Sequence, residues 1–351
     1  MNLTPQPHLL AALTNVRRAT TLGALLLASA VLPAVSAAVP WLHVQGNQIV
    51  DANNANVLLR GYSILPPQHN GECHYCNNKP EKTIIDMATD ATAGWYPTML
   101  RIGVDNTNSA LNNPSVLFSQ YLDPNVQYAI SKGVYVIVDL HLISDFDANN
   151  TGSGISQSLV LNFWKYVAPY YANTPNVIFE VYNEPIKPDD WTAWKNYIQP
   201  VVNAIRAVAP NNLIFMGGPQ WSTRVNQAAA SPVTGANIAY VYHIYPNQGS
   251  PTAANLDSKF GTAAQSIPVV VTEFGWNSTS TFSDRVTNGT TSAWGQPFRT
   301  YMDAHRNISW CSFIFDDFWK PEYFDHSWNL LTGENQGAFM KQWLTDLHNG
   351  L

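Results

Sequence analysis

Eight short apolar runs alternate with helical stretches along most of this 351-residue chain. The runs have the length and the Val, Ile, Leu and Phe content of buried strands, and they fall at 57–63, 97–103, 134–140, 177–182, 213–217, 238–245, 268–274 and 310–316. Helical patterns separate most of them, for example at 80–93, 119–132, 156–172, 190–209 and 296–307. This alternation predicts a (β/α)8 barrel. A doubly wound open sheet is the alternative, and it is weakened because no Gly-x-Gly-x-x-Gly turn follows the first strand.

A small hairpin is predicted ahead of the first barrel strand. Residues 41–56 contain Gly46-Asn47 and the run 51–54, and both are typical of tight turns. We expect this hairpin to cap the floor of the barrel. The rest of the chain has no low-complexity linker and no run of charge, so we expect one barrel domain over 39–351.

The first 38 residues have the pattern of a secretory signal. Arg17 and Arg18 precede the apolar stretch 22–28, and the small residues 35–38 follow. The apolar stretch is too short to span a bilayer. We therefore expect 1–38 to be a signal peptide and the mature protein to be extracellular, without membrane attachment.

The balance of charge argues against some classes of partner. The formal net charge is −6, and an acidic surface does not favour nucleic acid or anionic membranes. Charged residues make up only 12% of the chain, whereas aromatic residues also reach 12%. Many aromatic side chains suit either the stacking of flat sugar rings or a large aromatic core, and composition leaves both interpretations open.

Three cysteines allow one local disulfide. Cys73 and Cys76 lie close enough in sequence to form a small loop disulfide in an oxidising compartment. Their spacing also fits a redox or zinc motif, but there is no second Cys pair to complete a zinc site. Cys311 lies within an apolar strand, and we expect it to be a buried free thiol.

Two of the predicted strands run into a glutamate at their carboxyl ends. One is Val177–Tyr182 followed by Asn183-Glu184-Pro185, and the other ends in Thr272-Glu273-Phe274. A carboxylate at the mouth of an apolar strand is costly unless it has a purpose. Two such carboxylates acting on one substrate are what the cleavage of a glycosidic bond requires.

Other polar residues fall at the same ends of the predicted strands. Because the active site of a (β/α)8 barrel lies at the carboxyl ends of its strands, these side chains are candidates for one site. They are Arg101, His141, Asn183, His243 and Tyr245, with Trp319 after the last strand. Each residue alone has a structural explanation, such as a buried ion pair for Arg101. Their convergence at one rim favours function.

This set, with Asn183-Glu184-Pro185 and Glu273-Phe274-Gly275, resembles family 5 of the glycoside hydrolases, the cellulase family. The resemblance covers about 41–345. It implies a retaining mechanism on a (β/α)8 barrel, with Glu184 as the general acid/base and Glu273 as the nucleophile. In this site we expect Arg101 to keep Glu273 charged, Tyr245 to hold the orientation of that carboxylate, and Asn183 to contact the sugar 2-hydroxyl.

The resemblance further implies that His141 and His243 bind the sugar or the acid/base. A stacking Trp after strand eight is expected, for which Trp319 is the candidate, with Phe315 or Trp310 as alternatives. Trp221 and Trp276 follow strands five and seven, and we expect them to line further sugar sites.

A β-linked polysaccharide or oligosaccharide is the expected partner, bound by a monomer. Internal β-1,4-glucosidic bonds are the first choice of target, and β-mannan or β-1,3-glucan are the alternatives. The sequence contains no Gly-x-Ser-x-Gly, His-Glu-x-x-His or Walker motif, and Asp139-x-His141 is at most half of a metal site. We expect no cofactor. A barrel that binds glycans without cleaving them is a competing hypothesis.

Overall fold

The computed structural model describes residues 39–105, 111–278 and 285–351. The predicted signal peptide at 1–38 lies outside these ranges. Within them, no helix combines the length and the apolar character needed to cross a membrane.

Eight parallel strands close into a barrel. Each barrel strand pairs with the next barrel strand along the chain, and the last pairs with the first to complete the circle. The strands are β3 Arg60–Ile64, β4 Met99–Asp105, β5 Tyr135–His141, β7 Val177–Glu180, β9 Ile214–Met216, β10 Ile238–Ile244, β11 Val269–Phe274 and β12 Ile308–Phe315. All eight predicted strands are therefore present, and the (β/α)8 fold is confirmed.

Helices connect the strands and cover the outside of the barrel. The longer ones are α1 Glu81–Ala88, α2 Asp123–Ile130, α3 Gln157–Tyr171, α4 Trp191–Val208, α5 Val225–Ala230, α6 Gln296–Ala304 and α7 Gln336–His348. A π-helical turn, Leu117–Leu122, precedes α2. Pro124 lies in the first turn of α2, where its missing N–H costs nothing. The helix predicted at 119–132 is thus observed as two elements, the π-helical turn followed by α2.

The predicted hairpin closes the bottom of the barrel. Strands β1 His43–Gln45 and β2 Gln48–Val50 pair in antiparallel fashion. Gly46 between them has φ +61°, a left-handed conformation that glycine adopts without strain. Leu42 and Ile49 pack into one apolar cluster with the barrel residues Met99 and Ile137.

The barrel interior changes from apolar to charged towards the carboxyl ends of the strands. Side chains two positions apart on a strand share a face. Met99, Ile137, Ile178, Val241 and Val270 belong to the apolar cluster at the floor. Two residues further along the same strands are Arg101, Asp139, Glu180, His243 and Thr272, all buried. A polar layer therefore lies directly above an apolar one.

The cysteines follow the prediction closely. Cys73 and Cys76 are joined in a disulfide, and Cys311 is a buried free thiol on β12. The disulfide lies in the segment between β3 and α1, on the same side of the barrel as the polar layer's open end.

Candidate active site

Two short strands extend the barrel at its carboxyl rim. β6, Ile143–Ser144, pairs in parallel with β8, Glu184–Pro185. The Glu184 backbone N–H donates to the Leu142 carbonyl, which fixes this glutamate beside the end of β5. The predicted acid/base is therefore carried by a separate two-stranded ribbon, and not by a barrel strand itself.

Seven of the predicted polar residues meet at this rim. A cleft of about 590 Å³ opens there, and Glu184, Glu273, His141 and Tyr245 line it. Arg101, Asn183 and His243 lie beneath, each almost fully buried. The convergence expected from the strand ends is present for all seven.

The two glutamates lie close to each other across the cleft. One carboxylate oxygen of Glu184, one of Glu273 and a ring nitrogen of His243 all lie within 4.8 Å of one another. His243 Nδ1 is 2.8 Å from Glu184 Oε1 and 3.6 Å from Glu273 Oε2. Both carboxyl groups can therefore reach a single bond of a ligand in the cleft.

The surroundings of Glu273 favour its ionised form. Arg101 Nη1 donates to Oε1 at 2.9 Å, and the Tyr245 hydroxyl donates to Oε2 at 2.9 Å. Burial alone raises the pKa of Glu273, but the positive charges of His243, Arg101 and His141 and the Tyr245 hydrogen bond lower it to about 2. A carboxylate held in this way is suited to act as a nucleophile.

Arg101 is the centre of a buried ion-pair network. Besides Glu273, its guanidinium contacts Asp139 at 3.0 Å and Glu180 at 2.6 Å. Burial alone lowers the pKa of Arg101, and the carboxylates of Asp139, Glu180 and Glu273 raise it well above its usual value. The cation is therefore permanent, and it balances charges that could not otherwise remain in the barrel interior.

The two histidines have different partners. His141 lines the cleft, and its Nδ1 lies 2.7 Å from Asp139 Oδ2. His243 is buried, with Nδ1 at Glu184 and Nε2 at 2.9 Å from the Thr272 hydroxyl. Because both nitrogens of His243 are occupied by protein atoms, its partner is the predicted acid/base and not a sugar.

The oxygen and the nitrogen of the Asn183 side-chain amide have different surroundings. Its Oδ1 accepts a hydrogen bond from Arg101 Nη2. Its Nδ2 is buried and has no hydrogen-bond partner within the described part of the chain. A buried amide N–H₂ that lacks a protein partner can donate to a ligand.

Aromatic side chains are among the residues that line the cleft. Trp319 is half-buried, lines the cleft, and donates its indole N–H to Glu72. Its alternatives as the platform, Trp310 and Phe315, are at most 1% exposed and belong to the core. Trp221 is 39% exposed and lines both the cleft and an adjoining groove of about 390 Å³.

The prediction for Trp276 is wrong. This side chain is 0% exposed, its ring packs against Trp294 and Phe339, and its N–H donates to Thr291. An enclosed ring cannot stack on a sugar. The sequence placed it directly after a strand end, but the chain there turns the ring outward into the layer between barrel and helices.

Comparison with known proteins identifies the family. The model for "Cellulase (glycosyl hydrolase family 5)" matches residues 50–318. This chain belongs to glycosyl hydrolase family 5. The predicted family membership is thereby confirmed.

Two endoglucanases are among the proteins similar to this chain. The chain is 31% identical to an endoglucanase of Clostridium saccharobutylicum, over 79% of this chain and 57% of that protein. It is 30% identical to endoglucanase Z of Dickeya dadantii, over 88% of this chain and 68% of that protein. The match thus spans between about half and two thirds of these relatives' lengths.

A solved structure of similar fold is the β-glucanase SdGluc5_26A of Saccharophagus degradans in complex with cellotetraose. Its TM-score to this chain is 0.75 at 22% identity, and the match covers 88% of this chain and 94% of that one. At this identity the likeness supports the barrel fold.

Two groups of potential metal ligands occur among the described residues of this family 5 chain. Cys73, Cys76 and His326 form one group, but a disulfide removes the thiolates that a metal would need. Glu184, His243 and Glu273 form the other. Its atoms are already engaged by Arg101 and Tyr245, and the guanidinium would repel a second cation. We assign no metal to either group.

Sequence reasoning overlooked Glu180 and Thr272. Both lie in the polar layer, and the Thr272 hydroxyl donates to Glu180 Oε1 at 2.8 Å. A signal was available: Glu180 is an acid inside the apolar run 177–182, four residues before Glu184. The same cost argument that singled out Glu184 applies to it. The Asp139-His141 pair, considered as half of a metal site, belongs to the Arg101 network instead.

Proposed function

We propose that this protein is a secreted, retaining β-glycosidase that hydrolyses internal β-1,4-glucosidic bonds of glucans. The observation that carries the proposal is the closeness of Glu184 and Glu273, with one oxygen of each within 4.8 Å. Retaining glycosidases hold their two carboxyl groups about 5 Å apart, whereas inverting enzymes leave room for a water between them.

The surroundings of the two glutamates give each a role. Glu273, kept ionised by Arg101 and Tyr245, attacks the anomeric carbon while Glu184 transfers its proton to the departing glycosidic oxygen. Glu184 then takes a proton from water, and the resulting hydroxide displaces Glu273 from the sugar. Asn183 Nδ2 donates to the 2-hydroxyl, and Trp319 stacks against the ring at the cleavage point.

The shape of the cleft supports action on internal bonds of a polymer. The cleft and the adjoining groove share Trp221 and Gln248. A chain of sugars can therefore extend past the two glutamates in that direction, where Trp221 offers an exposed ring. The names of the two relatives, both endoglucanases, favour a β-glucan over mannan.

Two features support export. Residues 1–38 have the order of a secretory signal. The Cys73–Cys76 disulfide fits an oxidising compartment. Amino-terminal sequencing of protein recovered from culture medium should begin near residue 39, and an intact Met1 on exported protein would contradict the assignment.

The substrate is tested with a panel of four polysaccharides. We expect faster release of reducing ends from carboxymethyl-cellulose and barley glucan than from mannan or laminarin. Cellotetraose should be cut at an internal bond, with the β-anomer as the first product in NMR. A preference for mannan, release of glucose alone, or no cleavage would each replace the proposal with one of its competitors.

The roles of the glutamates are tested by exchanging each for alanine. Glu273→Ala should lose turnover, and azide should restore it as an external nucleophile with inverted product. Glu184→Ala should keep cleavage of aryl cellobiosides with activated leaving groups, which need little protonation. Glu334→Ala, at an exposed glutamate that does not line the cleft, is the matched control and should stay active. Exchanged phenotypes would show that the assignment is reversed.

A further inference from the structure

A chain of hydrogen bonds runs from Glu184 into the interior of the barrel. Glu184 Oε1 lies 2.8 Å from His243 Nδ1, and His243 Nε2 lies 2.9 Å from the Thr272 hydroxyl. Thr272 in turn lies 2.8 Å from Glu180 Oε1. We call these four residues the Glu180–Glu184 relay. Glu180, Thr272 and His243 are at most 1% exposed, and Glu184 opens to the cleft.

Counting protons along this relay fixes the direction of its hydrogen bonds. Arg101 Nε donates to Glu180 Oε2 at 2.6 Å, which favours the carboxylate form of Glu180. The single proton of the Thr272 hydroxyl then points to Glu180 Oε1. The oxygen of Thr272 can only accept from His243, so His243 carries a proton on Nε2.

The consequence appears at the other nitrogen of His243. With Nε2 protonated, Nδ1 is free either to accept from a protonated Glu184 or to share that proton with it. We propose that Glu180 is a positioning residue that acts through Thr272 and His243 to keep this proton at Glu184 before the glycosidic bond breaks. The inference rests on the proposed role of Glu184 as the acid/base, and it adds the device that supplies its acid form.

The charged groups around the relay act on Glu180 in both directions. Burial, reinforced by Asp139, raises the pKa of Glu180, whereas the charge and the hydrogen bond of Arg101 and the charge of His243 favour its carboxylate form. His243 is faced by Glu184, Glu273 and Arg101. Burial lowers the pKa of His243, but the two glutamates raise it above its usual value, so the proton between His243 Nδ1 and Glu184 Oε1 is shared by the two groups and is not lost to solvent. Tyr245 also faces Glu184, with its hydroxyl directed to Glu273.

Exchange of Glu180 for glutamine should reverse the donor–acceptor direction of the hydrogen bonds along the relay. Arg101 Nε can only donate, so the glutamine oxygen must face it and the glutamine N–H₂ must face Thr272. Thr272 then accepts and donates its own proton to His243 Nε2. The imidazole proton is left on Nδ1, where it stabilises ionised Glu184. Asp139 and Glu273 still balance the charge of Arg101, so the barrel keeps its central ion pairs.

Three variants test this inference: Glu180→Gln, Thr272→Val and Thr272→Ser. The first reverses the relay, the second removes the hydroxyl at nearly constant volume, and the third retains the hydroxyl. The measurement is kcat and KM against pH on barley glucan, which needs a protonated Glu184, and on an aryl cellobioside with an activated leaving group, which needs it little.

We expect Glu180→Gln and Thr272→Val to move the alkaline limb of the glucan profile about one pH unit lower. Their kcat on glucan should fall by roughly 10-fold or more at neutral pH, with KM little changed and a much smaller loss on the aryl substrate. Thr272→Ser should return the limb to its wild-type position.

The outcomes separate this inference from the proposed function. If the wild-type protein cleaves neither substrate, the proposed function itself is wrong. If the wild type is active and the two variants keep its alkaline limb, or lose both activities equally, Glu180 is only structural and the inference is overturned. Thermal melting checks folding, and the Val–Ser comparison at Thr272 decides the matter if Glu180→Gln does not fold.

Discussion

The ionisation of Glu273 is a property of its neighbours more than of the residue itself. Burial by itself favours the protonated form, and the low pKa, about 2, results from the nearby positive charges and the hydroxyl of Tyr245. The sequence shows a glutamate at a strand end. Only the folded chain brings Arg101 on β4 and Tyr245 after β10 to its two oxygens.

Tyr245→Phe should move the acid limb of activity to higher pH. The hydroxyl stabilises the ionised form of Glu273, so its removal raises the pKa of Glu273. As the pH falls, Glu273 is then protonated, and activity is lost, at a higher pH. One hydrogen bond to a carboxylate is worth about 1.4 kcal/mol or more, and we expect a shift of about one pH unit in kcat/KM.

The matched control for this prediction is Tyr301→Phe. Tyr301 also donates to a carboxylate, that of Asp257, but on the outside of the barrel. Its replacement should leave the acid limb where it is. An unmoved limb in Tyr245→Phe, or the same shift in both variants, would contradict the role given to Tyr245.

The polar residues at the rim were predictable because the strands that carry them are long apolar runs. Two parts of the site were not. The ribbon formed by β6 and β8 has two residues in each strand, too few for any periodic pattern. The direction of Trp276 depends on the packing of Trp294 and Phe339, which are distant in sequence.

The start of α1 contains a carboxyl group whose burial weakens the fold as the pH rises from about 4.5 to 8. Glu81 is 8% exposed, its Oε1 has no partner in the described residues, and Asn70 reaches only Oε2. Burial raises the pKa of Glu81 to about 8, with Asn70 opposing and Asp316 reinforcing the shift. In the unfolded chain the group ionises near its ordinary value of 4.5.

Glu81→Gln should therefore stabilise the protein increasingly between pH 5 and pH 8. The stability from protonated Glu81 is complete below about pH 4.5 and is lost as the pH rises towards 8, whereas glutamine does not ionise. The melting temperature should differ little at pH 5 and rise by a few degrees at pH 8. Glu334→Gln, at an exposed glutamate, should show no such gain, and a gain independent of pH would count against the explanation.

At the scale of the whole molecule, two tryptophans that both follow barrel strands have different positions, one at the cleft and one in the interior. Trp221 borders both the cleft and the adjoining groove, whereas Trp276 is enclosed between barrel and helices. Composition alone left open whether the aromatic residues served sugar binding or the core. In the structure some aromatic rings are enclosed in the core and others lie at the cleft, and position in the fold decides which.

Trp221→Ala and Trp276→Ala should therefore fail in different ways. Loss of Trp221 should lower kcat/KM several-fold on long cello-oligomers and little on an aryl cellobioside, since a stacked ring contributes about 1 kcal/mol. Loss of Trp276 should instead reduce the free energy of unfolding by about 3–5 kcal/mol. Both variants are measured by chemical denaturation and by kinetics on cello-oligomers. If the two variants lose the same stability and the same activity, the distinction between Trp221 and Trp276 is wrong.

The hydrogen bond from Trp319 to Glu72 links the position of the Trp319 ring to a segment that lies apart from Glu184 and Glu273. Glu72 lies in the segment between β3 and α1, next to the Cys73–Cys76 disulfide, and it contacts neither of the two rim glutamates in the described structure. Substitutions, insertions or deletions in this segment would re-aim the Trp319 ring while leaving Glu184 and Glu273 in place. The choice of sugar can therefore diverge in one loop without any alteration of the bond-breaking residues.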